Sequence, residues 1–150
     1  MTYHVDRITL EPQPAAVVAG SVAHDGIAEF LGGAFGEVMA ALGAQGLFPA
    51  GPPFARYVMT DDGWDIEAGF PCSGEVSSTG RVHAITLPGG PALAVLHQGP
   101  YEDVANAYHA AEEWMAENDW TPTGTPWEAY LDEPDVEQPR TIVHLPARPV

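Results

Sequence analysis

The sequence predicts an α+β domain in which a β-β-α-β-β unit occurs twice with pseudo-twofold symmetry, forming a curved antiparallel sheet with two helices on one face. Three observations carry this expectation. A proline–glycine–aromatic motif recurs at an offset of 73 residues, the segment before each copy has helical periodicity, and short β-rich runs flank both.

Val5–Leu10 reads as a leading strand and Ala15–Gly20 as a second. Ile27, Leu31, Phe35, Val38 and Leu42 then recur at steps of three and four, the mark of an amphipathic helix, with Asp25 as its N-cap and Gly46 closing it. Gly32, Gly33, Gly36 and Gly43 weaken its intrinsic propensity, so packing must hold it. The motif follows as Pro49, Gly51, Pro53, Phe54 and Tyr57, and after the Asp61-Asp62-Gly63 turn comes a strand over Trp64–Phe70. A Ser- and Gly-rich loop over 72–80 separates the two copies.

The second copy repeats the order. Arg81–Leu87 and Ala92–His97 read as strands joined by a turn at Gly89-Gly90. Tyr101, Val104, Tyr108, Ala111 and Met115 mark the second helix, and the pairs 31/104, 35/108, 38/111 and 42/115 share the 73-residue offset. Pro122, Gly124, Pro126, Trp127 and Tyr130 restate the motif; the Asp132–Pro139 stretch breaks regular structure, and Thr141–Leu145 closes the unit as a strand. The chain is therefore expected to be a single domain over 1–150, with repeat 1 at about 1–72 and repeat 2 at about 81–150. An antiparallel sheet with one apolar face needs a cover, and the two helices supply it.

Charge narrows the partners. The chain has 21 acidic residues against five basic ones, all arginine (Arg7, Arg56, Arg81, Arg140, Arg148), for a net charge of −16. Nucleic acid and anionic membranes attract Lys and Arg clusters, so neither is an expected partner. A cationic ligand is electrostatically welcome. Cys72 is the only cysteine, which excludes an internal disulfide and a cysteine metal cluster and suits a reducing cytoplasm. The opening residues 1–7 lack the apolar core of a signal peptide, and no apolar run is expected to reach bilayer length, so a soluble, cytoplasmic protein is expected. The six histidines (His4, His24, His83, His97, His109, His144) show no metal spacing, and there is no HExxH, nucleophile elbow or phosphate-cradling loop. No metal and no cofactor are expected. His97, ending a strand just before Gly99-Pro100, has the best claim of the six on function.

Five segments together resemble the GyrI-like, or bacterial transcription-activator effector-binding, domain family: Pro14–Gly20, Gly51–Tyr57, Asp65–Pro71, His97–Tyr101 and Trp127–Leu131. The resemblance covers nearly the whole chain. It implies lipophilic, often cationic ligands held between two helices and a sheet, in regulators beside a helix-turn-helix that is not expected here. Some stand-alone members resemble hydrolases that open strained cyclopropane rings in genotoxic compounds, and others inhibit DNA gyrase. A protein partner, a regulator or gyrase, is therefore a further expectation of the resemblance.

The residues themselves point to a centre. Alternation along a strand puts Glu128 and Tyr130 on one face and Trp127 and Ala129 on the other. The first repeat has Ala55 and Tyr57 in the equivalent places, so the tyrosines match while the acid stands alone. The resemblance implies that Glu128 is the pocket glutamate. A carboxylate among aromatics is costly to ionise unless a cation or a hydrogen-bond donor meets it. The expected ligand-binding set is Glu128, Tyr130, Tyr57, Trp127, Phe54, Trp64, Glu67, Phe70, Tyr101 and Tyr108. Glu67 reads equally as a second pocket acid or a rim residue, and the helix aromatics, Trp114 among them, read from periodicity as core before cleft. In the hydrolase reading Glu128 and Tyr130 are catalytic, the acid activating water and the phenol assisting the leaving group.

Overall fold

The computed structural model describes residues 3–133 and 135–150. Residues 1, 2 and 134 lie outside it, and with them the chain's opening and part of the expected Asp132–Pro139 break. In chain order the elements are β1 (Val5–Leu10), β2 (Gln13–Ala23), α1 (Ile27–Ala44), β3 (Phe54–Met59), β4 (Gly63–Pro71), β5 (Val82–Leu87), β6 (Gly90–Gln98), α2 (Ala105–Asn118), β7 (Trp120–Pro122), β8 (Trp127–Tyr130) and β9 (Arg140–Pro149), with a single 3-10 turn at Tyr101–Asp103. The protein is α+β, its named strands paired antiparallel. It divides into two compact units, Pro12–Leu87 and Met1–Glu11 with Pro88–Val150.

In the first unit the strands run in the order β3-β4-β2-β5. Ala15, Ala16, Val17 and Val18 of β2 are all buried, which is why this stretch reads as a continuous apolar run rather than an alternating one. Helix α1 packs Ala34, Val38, Ala41 and Leu42 onto β2 and β4. Its start differs from the sequence expectation: Gly26, not Asp25, occupies the N-cap, without a side-chain cap. The Gly26 amide donates to the Ala23 carbonyl, so Asp25 is spent inside that turn. The end is as expected. Gly46 takes φ +71°, and the amides of Gly46 and Leu47 return to the carbonyls of Gly43 and Leu42, the paired bonds of a Schellman motif. At 18 residues and a mean hydropathy of 1.3, α1 has the length and composition of a short bilayer span, contrary to the expectation that no apolar run reaches that length. Its five alanines supply much of that hydropathy, and its four glycines lower it.

In the second unit the order is β1-β6-β9-β8, with β7 pairing the far end of β9. Leu93, Val95, Ala107, Ala111, Met115, Val143, Leu145 and Ala147 form its core between the strands and α2. Strand β1 pairs with β6, and in the first unit β5 pairs with β2. The strand leading into each sequence repeat therefore pairs with the second strand of the other repeat.

Two glycines predict opposite outcomes. A Cβ on Gly69 would run into the Ala16 carbonyl across the β2–β4 pairing, whereas one on Gly32 meets nothing. Gly69→Ala is expected to cost about 3 kcal/mol or more, and Gly32→Ala to stabilise by roughly 0.5–1 kcal/mol. Denaturant titration of both variants checks the pair.

Candidate functional site

Strand β8 sets the site. Glu128 pairs with Val143, a core residue under α2, so its side chain lies on the helix-covered face of the second unit. The acid is only 8% exposed. Two phenols meet it: Tyr108 of α2 donates to Oε2 at 2.8 Å, and Tyr130, two residues along β8, donates to Oε1 at 3.1 Å. Burial pushes the Glu128 carboxyl above the ordinary glutamate range, opposed by the Tyr108 and Tyr130 hydrogen bonds and by nearby His97. Tyr101 sets its ring edge against Tyr130, centroids 5.7 Å apart.

A second polar group lies on the same face. His97 of β6, 2% exposed, has Nε2 at 2.9 Å from the Pro100 carbonyl and Nδ1 at 2.8 Å from the Tyr3 hydroxyl. A carbonyl can only accept, so Nε2 carries a proton and donates it to Pro100. The register places Thr141 of β9 between His97 and Tyr130. Among the described residues the buried polar side chains are His97, Glu128 and Thr141, all on this one face.

Comparison of the units shows that the scaffold does not require these groups. Tyr57 pairs with Ile66, which pairs with Gly20, just as Tyr130 pairs with Thr141 and Thr141 with His97. The repeat-related tyrosines thus anchor one register in both units, and Ala55, Ile66, Gly20 and Phe35 occupy the places of Glu128, Thr141, His97 and Tyr108. Space over Gly20 is taken by the Phe30 ring. The same frame is apolar in one unit and polar in the other.

The remaining expected residues fall elsewhere. Trp127 is buried on the opposite face of β8, stacked on His144 with centroids 5.2 Å apart, and burial lowers the His144 pKa to about 4. Phe54 holds the equivalent place on β3 and is buried. On the α1 face of the first unit, Tyr57 meets Trp64 edge-on at 6.0 Å and Phe70 meets Phe35 at 5.7 Å. Glu67 shares neither contact: it lies on the other face of β4 and pairs with Arg56 at 2.7 Å. Trp114 packs on Trp120 at 5.2 Å. The sequence set omitted His97, Tyr3 and Thr141. The position of His97 before Gly99-Pro100 was a signal; Thr141 had none, because only the strand register gives it neighbours. Among the described residues no group of three or more His, Cys, Asp and Glu side chains is placed to hold a metal ion.

The family model of the GyrI-like small molecule binding domain matches residues 4–148. The chain belongs to that family. No curated protein sequence matches this GyrI-like domain significantly. Among solved structures, the C-terminal domain of EcmrR is similar over 100% of both chains, at 23% identity and a TM-score of 0.78. In a cryo-EM structure of an EcmrR–DNA complex the match covers 99% of this chain but only 58% of that one, at 22% identity and a TM-score of 0.83. A hydrolase from Listeria innocua is similar over 96% of this chain and 91% of its own, at 16% identity and a TM-score of 0.74. SAV2435, solved bound to tetraphenylphosphonium, is similar over 99% of this chain and 94% of its own, at 14% identity and a TM-score of 0.61. These likenesses establish the fold.

Burial of Glu128 has consequences for stability. With its folded pKa above the unfolded one, its contribution is full below the ordinary glutamate pKa and is lost as pH rises through the folded value. Glu128→Gln cannot ionise, so its melting temperature relative to the parent's should climb over that interval and then level off. Tyr108→Phe strips the donor from Oε2 and should destabilise by about 1–3 kcal/mol. Melting curves collected across pH test both.

Proposed function

We propose that this GyrI-like small molecule binding domain senses or sequesters lipophilic, positively charged compounds, seated on Glu128 among Tyr101, Tyr108 and Tyr130. The observation that carries the reading is a carboxylate buried with two phenol donors where the other unit has Ala55. A cation relieves the cost of ionising a buried acid, and aromatic faces add cation–π attraction. That SAV2435 was solved bound to tetraphenylphosphonium, a lipophilic cation, supports the same class of ligand here. The net charge of −16 and the lack of lysine fit a cytoplasmic protein that binds such ligands rather than nucleic acid or membranes.

Glu128→Gln keeps the shape and removes the charge. Affinity for a lipophilic cation such as tetraphenylphosphonium should fall by about 1.5–3 kcal/mol, roughly ten- to a hundredfold, while a neutral analogue of similar shape is unaffected. Cation affinity should also rise with pH above the ordinary glutamate range, because burial raises the pKa that must be crossed, and binding below it should release a proton. Calorimetry in buffers of different ionisation enthalpy measures both; equal affinity in parent and variant would remove Glu128 from the site.

The raised pKa of Glu128 beside the Tyr130 hydroxyl supports a second reading, a hydrolase of strained cyclopropane-containing compounds. There Glu128 passes a proton between water and product and Tyr130 assists the leaving group. Under that reading Glu128→Gln abolishes turnover of such a substrate while leaving its binding intact, and Tyr130→Phe slows turnover. Product analysis by mass spectrometry separates this outcome from simple binding.

A further inference from the structure

Thr141 is fully buried at 0% exposure, and its Oγ1 has no hydrogen-bond partner. Its equivalent in the first unit is Ile66, also β-branched and buried, so the frame is filled there by a hydrocarbon. A hydroxyl in that place weakens the fold and is offset by nothing among the described residues. Its location gives it a use. Thr141 lies directly across from Tyr130 and diagonally from Glu128, on the face that holds both.

Glu128 has capacity left on that side. Each carboxylate oxygen can accept more than one hydrogen bond, and the Tyr130 bond to Oε1, at 3.1 Å, is the longer of the two. A cation that joins the half-buried Tyr130 hydroxyl at Oε1 comes to lie beside Thr141. We propose that Thr141 is a specificity-determining residue, its hydroxyl accepting a hydrogen bond from a cation that bears at least two N–H groups and donates another to Glu128, so that the site selects protonated primary and secondary amines over fully substituted cations. The inference rests on the assignment of Glu128 as the ligand's counter-charge. It adds a chemical class that charge alone does not specify, because a quaternary ammonium or a phosphonium has no N–H to offer Thr141.

The test uses three probes on the whole chain by isothermal titration calorimetry: naphthylmethylamine hydrochloride, whose ammonium carries three N–H groups, its N,N,N-trimethylated quaternary salt, and tetraphenylphosphonium. The parent protein should bind the amine about tenfold or more tightly than the quaternary salt. Thr141→Val should reduce that preference by about tenfold, leave the other two affinities within about twofold, and melt no lower than the parent. Thr141→Ser should keep the preference. Should Thr141→Val fail to fold, Thr141→Ile, which installs the residue that the first unit carries, replaces it. A parent without amine preference, a Thr141→Val variant that retains it undiminished, or a valine variant that melts lower would each overturn the assignment. Glu128→Gln separates the layers. If it weakens every cation while Thr141→Val changes nothing, only the Thr141 inference falls; if Glu128→Gln changes nothing, or the parent binds none of the probes, both fall.

Discussion

Burying one carboxylate organises the second unit. Water solvates an ionised carboxylate far better than a protein interior does, so Glu128, buried on the helix-covered face, needs donors, a counter-charge or a proton. Tyr108 and Tyr130 supply donors from a helix and from its own strand, one to each oxygen. Their hydroxyls favour the charged form, burial opposes it, and burial dominates. The group is thereby poised: a positive charge brought close changes its protonation, which a solvent-exposed acid would not register.

The same demand explains why the two units diverge where they do. Their frames agree in the helix positions that meet the sheet, Val38 with Ala111 and Leu42 with Met115, and in the register of Tyr57 and Tyr130. Packing alone is satisfied in the first unit by Phe35, Ala55, Ile66 and Gly20. Replacing that apolar set with Tyr108, Glu128, Thr141 and His97 adds hydrogen-bonding groups to a face that could have stayed dry. Duplication allows this, since one copy can carry strained chemistry while the other keeps a conventional core.

His97 shows how local geometry stabilises such a group. Its proton is held at Nε2 by the Pro100 carbonyl, at the turn where Gly99 adopts φ +138°, and Tyr3 closes the other ring nitrogen. The ring is oriented by three separate parts of the chain: a strand, the turn after it and the N-terminal segment. Beyond the site, three of the five arginines engage in ion pairs, Arg56 with Glu67, Arg81 with Glu37 and Arg140 with Asp132. The excess acid is left to set a negative field around the protein, which raises the local concentration of cations without fixing where they bind.

Much was legible in the sequence because it depends on local periodicity. The helical steps of Ile27 to Leu42, the αL glycine at 46 and the matched Pro-Gly-Pro-Tyr motifs fixed the class, the repeat and the strand that carries Glu128. Alternation alone separated Glu128 and Tyr130 from Trp127. What tertiary structure decided was which strands are neighbours: β1 pairs with β6 rather than β2, and β9 lies between β6 and β8. Only that register brings His97, Thr141 and Tyr130 into one row and gives Tyr108 its carboxylate. Residues 20 to 44 apart in sequence become neighbours through pairings that no local pattern encodes, because cross-strand register is set by packing of the whole sheet.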